Sequence, residues 1–163
     1  MSGLMDAPVY DEQRERRKTA LLIAAGVLVV LLAILFVAGF IAGHGWFFSN
    51  LPAEHKVDRF LTAIEKKDFD TAYGVYVNDD NWKANPSKYS GYPVKRFTED
   101  WTQYSPVGEI HSHHVDISRT DGEGFWGSGT IVGSTINGKK RLFLWVQRSD
   151  GTLTYPTPHI IQY

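Results

Sequence analysis

An uncharged stretch near the N-terminus constrains this chain more than any other feature. Residues 19–43 contain no Asp, Glu, Lys, Arg or His and consist mostly of Leu, Ile, Val, Ala and Phe. As a helix rising about 1.5 Å per residue, the apolar part reaches about 35 Å, more than the roughly 30 Å hydrocarbon core of a bilayer. We therefore predict a transmembrane helix at residues 19–43, a tail at 1–18, a connecting segment at 44–51 and one folded domain at 52–163.

The charges that flank this stretch predict its orientation. Four cations lie in the segment Arg14–Lys18, whereas residues 44–51 contain neither Lys nor Arg. Because cytoplasmic flanks of membrane helices carry an excess of Lys and Arg, we expect a single-pass protein of the inner (cytoplasmic) membrane with a cytoplasmic N-terminus and an extracytoplasmic, periplasmic domain. Trp46, Phe47 and Phe48 then lie at the outer headgroup level, where aromatic side chains form a belt.

A cleaved signal peptide is the alternative interpretation of the apolar stretch. The apolar segment of a signal peptide is usually about 7–15 residues long and is followed by a small-x-small cleavage site. This stretch is longer, and no clear site of that kind follows it. We therefore expect the helix to be retained as an anchor.

Two glycines at the outer end of the stretch are candidate contacts with another helix. Gly39 and Gly43 are four residues apart, the small-xxx-small spacing that allows two membrane helices to approach closely. The alternative, which we favour, is that glycine and alanine are simply common in membrane helices. We interpret both residues as candidate contacts with a partner helix.

Composition excludes several classes of function. The net charge is −1 and there is no cysteine. A near-neutral domain lacks the basic face of a nucleic-acid-binding protein. Without cysteine, the chain forms no disulfide, thiolate nucleophile, Cys-ligated zinc site or iron–sulfur cluster of its own. We predict no cofactor and no nucleic-acid partner; the expected partners are the lipid bilayer and other subunits of a membrane complex.

The periodicity of apolar residues predicts helices first and strands afterwards. Three short helices are indicated, the first starting near Pro52 with Val57, Phe60, Leu61 and Ile64 on one face, the second capped by Asp68 or Asp70, and the third starting at Pro93. Strands are predicted at 107–119, 124–136, 139–148 and 152–155, with an Asn137-Gly138 hairpin turn and a last edge segment at 159–163. Residues 142–146 are apolar on both alternations, which is typical of an inner strand. The predicted class is α+β, with helices packed on one face of a curved antiparallel sheet.

The segment Val57–Tyr76, VDRFLTAIEKKDFDTAYGVY, resembles the opening of the nuclear transport factor 2-like superfamily. That opening reads roughly FLxALxxGDYxxAY; Lys67 stands where Gly is common, and Asp68-Phe69 matches the acidic-aromatic pair. The resemblance implies a cone-shaped α+β domain, which bacteria often carry on one membrane helix. The superfamily includes ketosteroid isomerase and scytalone dehydratase beside non-enzymatic binding and assembly modules, so the resemblance implies no particular reaction.

Two groups of side chains are candidates for a site. His111 and His113 share one face of the first predicted strand and would bind zinc or copper with a third ligand such as Glu109 or His159. The alternative, which we favour, is that these histidines are exposed or hydrogen-bonded. The aromatic residues are expected to form mainly core, and some would line a small pocket at the open end of the cone: Tyr73, Tyr76, Phe97, Trp101 and Tyr104.

The expected function follows from an anchor, a compact domain and no recognisable catalytic motif. We expect a non-enzymatic accessory or assembly subunit of a larger membrane complex, with respiratory and photosynthetic complexes among the candidate hosts. One alternative is a membrane-tethered binder or sensor of a small ligand. A second is an isomerase- or hydratase-like enzyme.

Overall fold

The computed structural model describes residues 11–122 and 127–156. Within these residues a long helix precedes a domain in which three helices come before an antiparallel sheet, so the predicted α+β class is confirmed. The helices are α1 (Glu12–Ile41), α2 (Leu51–Glu65), α3 (Phe69–Val77) and α4 (Val94–Thr102). The strands are β1 (His113–Thr120), β2 (Gly129–Ile136), β3 (Lys140–Gln147) and β4 (Leu153–Thr154).

Helix α1 is long and apolar enough to cross a membrane, and none of its apolar window is buried by the rest of the described chain. It begins earlier than predicted, because the Asp11 side chain accepts hydrogen bonds from the N–H groups of Gln13 and Arg14 at 3.0 and 3.1 Å. Asp is among the best N-cap residues. The cations at 14–18 therefore belong to the first turns of the same helix, which extends over about 45 Å.

The three domain helices lie where the periodicity predicted them. The Asp68 carboxylate caps α3 by accepting the Thr71 N–H at 3.1 Å. Helices α2, α3 and α4 pack on one face of the sheet through a shared apolar core. Its fully buried large side chains include Val57, Phe60, Leu61, Tyr73, Phe97, Val132, Ile136, Leu144 and Leu153.

The sheet has the order β1-β2-β3-β4, and every neighbouring pair is antiparallel. The predicted hairpin turn is confirmed: Asn137 and Gly138 have φ angles of 51° and 66°, and the Lys139 N–H donates to the Ile136 carbonyl at 3.0 Å. Strand β3 lies inside the sheet, as its apolar sequence predicted. The predicted edge segment at 159–163 lies outside the described residues.

Strand β1 begins at His113, later than predicted. The Asn137 side chain explains the difference, because its Oδ1 accepts the N–H groups of His111 and Ser112 at 2.9 and 3.1 Å. These two amides therefore bond to a turn rather than to a strand partner. The apolar pattern from 107 onward continues into the core, since Val107 and Ile110 are buried.

The glycines of β2 allow aromatic rings to lie on the sheet face opposite the helices. A Cβ atom on Gly129 would be 2.1 Å from Nε1 of Trp145, and one on Gly133 would be 3.0 Å from Cε1 of Phe143. These glycines therefore mark close approach of large side chains on β3, as expected for glycine inside a strand.

Candidate functional site

The most distinctive feature of the molecule is the connection between α1 and the domain. The chain reverses direction after α1, with φ angles of 83° at Gly43 and 77° at Gly45. The Trp46 ring then stacks on Phe36 and Phe40 of α1, with ring centroids 4.2 and 4.3 Å apart. We call residues 44–48 the aromatic hook. It lies beside the last turns of α1 rather than beyond the helix end.

Gly39 makes the close approach of the aromatic hook possible. A Cβ atom at this position would be 2.5 Å from both the Gly45 carbonyl oxygen and the Phe48 backbone nitrogen. Gly39 is also the buried residue of α1, and its carbonyl accepts the His44 N–H at 2.8 Å. Gly43, in turn, lies against Ile117 of β1, whose Cγ2 would be 3.0 Å from an added Cβ. Both glycines thus contact their own chain, and contact with a partner helix stays a prediction.

A buried carboxylate joins the hook to two elements of the domain. The Glu54 side chain, 8% exposed, lies 2.9 Å from Nδ1 of His44. Ser118 of β1 donates its hydroxyl to the same carboxylate and its backbone N–H to the Gly43 carbonyl at 2.8 Å. We call Gly43, His44, Glu54 and Ser118 the junction network. Because a buried carboxylate is costly without partners, this network holds α1, α2 and β1 in one arrangement.

Sequence reasoning missed the junction network. The sequence predicts only a connecting segment with an aromatic belt at residues 44–51, and Glu54 lies outside the apolar stripe of α2. The partners are 10 and 64 residues from Glu54 along the chain. A local signal existed only in Gly43 and Gly45, which favour a chain reversal.

The two candidate metal-binding histidines are separated in the structure. His111 precedes β1 and its side chain is 69% exposed. The His113 side chain is 7% exposed and lies between two carboxylates of α2, with Nε2 3.0 Å from Asp58 and Nδ1 2.5 Å from Glu65. No group of three or more His, Asp or Glu residues within 11–122 and 127–156 is arranged to hold a metal ion; His159 lies outside that range.

Replacing His113 with Ala tests whether this contact holds β1 on α2. We expect a loss of about 1–3 kcal/mol in the free energy of unfolding, because the buried ring is lost and the side chains of Asp58 and Glu65 lose a hydrogen-bond partner. The matched control is His111→Ala, which should change stability by less than about 0.5 kcal/mol. Denaturant titration of the full chain in detergent micelles measures both; equal losses would contradict the assignment.

The predicted pocket aromatics are mostly packed against one another. Tyr73, Phe97 and Trp101 are buried in the core, and the Phe97 ring lies 5.3 Å from Tyr73 and 6.2 Å from Trp101. Tyr76 is half-buried beside them. Tyr104 is 70% exposed. Three of the five therefore contribute to the core, and none of the five lines the cavity described below.

A tyrosine–aspartate cluster lies next to this core: Tyr76, Tyr92, Asp100 and Tyr155. The Tyr92 hydroxyl donates to Asp100 at 2.9 Å. Burial, and then the hydrogen bond to Asp100, raise the pKa of Tyr92. Burial, followed by the neighbouring Tyr76 and the Asp100 charge, raises the pKa of Tyr155 to about 12.

These raised pKa values predict a loss of stability at alkaline pH. Below the ordinary tyrosine pKa of about 10, both states are protonated and the contribution is complete. Above it the unfolded chain releases protons that the folded chain retains, so stability falls between about pH 10 and 12. Unfolding curves over this range should show a smaller fall for Tyr92→Phe and an unchanged fall for the exposed control Tyr104→Phe. An unchanged fall in Tyr92→Phe would contradict the prediction.

A cavity of about 400 Å³ lies at the other edge of the sheet from β1. It is an open groove between the loop at Pro106-Val107 and the first half of β3, with Tyr155 and Pro156 at its end. The pocket expected at the open end of the cone is a separate feature and stays a prediction. The groove depends on where β4 ends, which local periodicity does not define.

Comparison of the chain with protein-family models, with curated proteins and with solved structures finds no match. The fold class and the site geometry therefore carry the functional argument.

Proposed function

We propose that this chain is a non-enzymatic, single-pass membrane protein that serves as an accessory or assembly subunit of a larger membrane complex. Its extracytoplasmic domain would be of the nuclear transport factor 2-like type. Respiratory and photosynthetic complexes remain candidate hosts. The observation that carries the proposal is the junction network, in which the buried Glu54 carboxylate joins the end of α1 to α2 and β1.

A rigid junction suits a docking module better than a tethered ligand sensor or enzyme. A flexible linker lets a domain sample many positions relative to its anchor. The aromatic hook and the junction network instead hold the domain in one position and orientation relative to α1. A subunit that must match surfaces within a membrane complex gains from such preorganisation, because less orientational freedom is lost on assembly.

The junction also supports retention of α1 as an anchor. Signal peptidase would cleave near the end of the apolar stretch, where Gly39 contacts the hook and where Gly43 and His44 contact the domain. Cleavage there would separate the bonded partners and leave the Glu54 carboxylate without part of its network. Retention keeps these contacts.

Native co-purification tests the proposed function. The full chain, tagged and expressed in its own membranes, should be recovered in mild detergent with membrane subunits in fixed ratio. A matched variant, His44→Ala with Glu54→Ala, keeps the anchor but removes the junction, and it should recover less of those subunits. Recovery of an isolated chain under the mildest extraction would overturn the proposal.

The absence of cysteine makes the topology directly testable. Two single-cysteine variants, Ser2→Cys in the tail and Ser90→Cys on an exposed loop of the domain, can be treated with a membrane-impermeant maleimide in intact cells. We expect labelling at position 90 and none at position 2 until the membrane is opened. The reverse pattern would contradict the proposed orientation.

A further inference from the structure

The last strand of the sheet covers only part of its neighbour. Strand β4 pairs with β3 at two positions, Trp145 with Thr154 and Val146 with Leu153. In the described part of the chain no strand lies beside residues 140–144 on this edge of β3. The groove of about 400 Å³ runs along this stretch, which we call the vacant edge.

Backbone hydrogen-bonding groups point into the groove from the vacant edge. The Gln147 N–H donates toward β4, to Thr152, whereas the next N–H, of Arg148, donates toward the opposite side, to Ser128. Because successive residues of a strand direct their backbone groups to opposite edges, Arg141 and Phe143 point the same way as Gln147. Among the described residues, neither backbone forms a hydrogen bond outside the pairing with β2.

The chain's own continuation cannot complete this edge in the existing register. Extending the β3–β4 pairing by two and four residues would place Pro156 opposite Phe143 and Pro158 opposite Arg141. These are the two positions at which the added strand must donate an N–H to β3, and proline has none. In that register the continuation therefore lacks the amide donors that the vacant edge requires, and a segment of another chain can supply them.

The walls of the groove define the chemistry of that chain. The buried side chains of Val107 and Leu142 form an apolar side. Lys140 and Arg141 are exposed at the rim, and neither forms a salt bridge with a described residue. An added strand places alternate side chains on opposite faces, so apolar residues would meet Leu142 while acidic residues would meet Arg141.

We propose that the vacant edge of β3 binds an extended segment of a partner protein, with alternating apolar and acidic residues, as an added strand of the sheet. In this recognition mode the backbone hydrogen bonds supply affinity and the alternating side chains supply specificity. The inference rests on the proposed function, because it names the chemistry by which a partner subunit docks.

A synthetic peptide tests the added strand with the full chain in detergent micelles. The probe is a fluorescein-labelled, acetylated and amidated peptide of alternating Glu and Val. Paired residues on neighbouring strands have their side chains on the same face of the sheet, so the Glu residues of the peptide would pair with Arg141 and Phe143. Because the backbone groups of Arg141 and Phe143 point to the vacant edge, the N–H groups of the paired Glu residues should face β3. We expect N-methylation at the Glu residues to weaken binding by about tenfold or more, and N-methylation at the Val residues to change it by less than about threefold.

Two substitutions at one position separate the backbone from the charge. Arg141→Pro removes an N–H that faces the groove and spares the pairing with β2, whereas Arg141→Ala removes only the charged side chain. We expect Arg141→Pro to lose the dependence on which peptide residues are methylated, and Arg141→Ala to keep that dependence with weaker binding. If Arg141→Pro does not fold, amide exchange at residues 141 and 143 in the unaltered chain, slowed by the peptide, is the deciding readout.

Three results would overturn the inference. The first is equal binding of the two methylated peptides. The second is protection of amides 141 and 143 without peptide that is lost when residues 157–163 are removed, and the third is self-association of the chain that the peptide does not displace. If the peptide test fails while membrane subunits still co-purify, the proposed function stands and only the added strand is rejected.

Discussion

Gly39→Ala should release the aromatic hook from α1. The added Cβ would meet two backbone atoms at 2.5 Å, and backbone atoms cannot move aside as a flexible side chain can. Overpacking of this kind costs about 1–3 kcal/mol. We therefore expect the amides of residues 44–50 to exchange about tenfold faster or more, because this segment opens locally.

The matched control for this substitution lies on the same helix. A Cβ atom at Gly26 meets no atom within 4 Å, and the gain in helix propensity from Gly to Ala is shared by both positions. Gly26→Ala should therefore leave exchange at residues 44–50 unchanged. If the two substitutions change amide exchange at residues 44–50 equally in the isolated chain, Gly39 does not determine the position of the aromatic hook. A contact with a partner helix then becomes the better explanation for glycine at position 39.

Glu54→Ala should cause a comparably large loss through the junction network. Removing the acceptor of a buried hydrogen bond typically costs about 1–3 kcal/mol for each donor left without a partner. Here His44 and Ser118 both lose their acceptor. Glu54→Gln keeps an acceptor oxygen without the charge, and we expect an intermediate loss of about 1–2 kcal/mol.

A surface ion pair provides the control for Glu54. Asp80 lies 2.9 Å from Arg59, and its side chain is 75% exposed; such pairs contribute about 0–1 kcal/mol. Denaturant titration in micelles should therefore separate Glu54→Ala clearly from Asp80→Ala. Similar losses for the two variants would show that the junction network does not stabilise the connection between anchor and domain.

Local patterns predicted much of the fold because local physics determines it. The apolar stripe of α2, the Asp68 cap of α3 and the Asn137-Gly138 turn all depend on residues a few positions apart. The uncharged stretch predicted a helix able to span a membrane by its length and composition alone. The helix itself begins before the apolar run, because the Asp11 side chain caps it there.

The candidate sites, by contrast, could be predicted only in part. Spacing predicts that His111 and His113 share one strand face. In the structure the Asn137 side chain accepts the N–H of residue 111 in a turn, and the carboxylates of α2 contact the His113 side chain. Aromatic periodicity identified core residues, whereas the groove depends on how far β4 pairs along β3, which local spacing does not define.

The sequence by itself determined an apolar helix, an α+β order of elements and an inner strand at residues 142–146, because each of these is a property of neighbouring residues. Only the tertiary structure brought Glu54 to His44 and Ser118, turned the hook back onto Gly39 and left one edge of β3 without a strand. The physical reason is that these contacts join residues far apart in the chain, where burial and backbone direction, rather than local pattern, decide which groups meet.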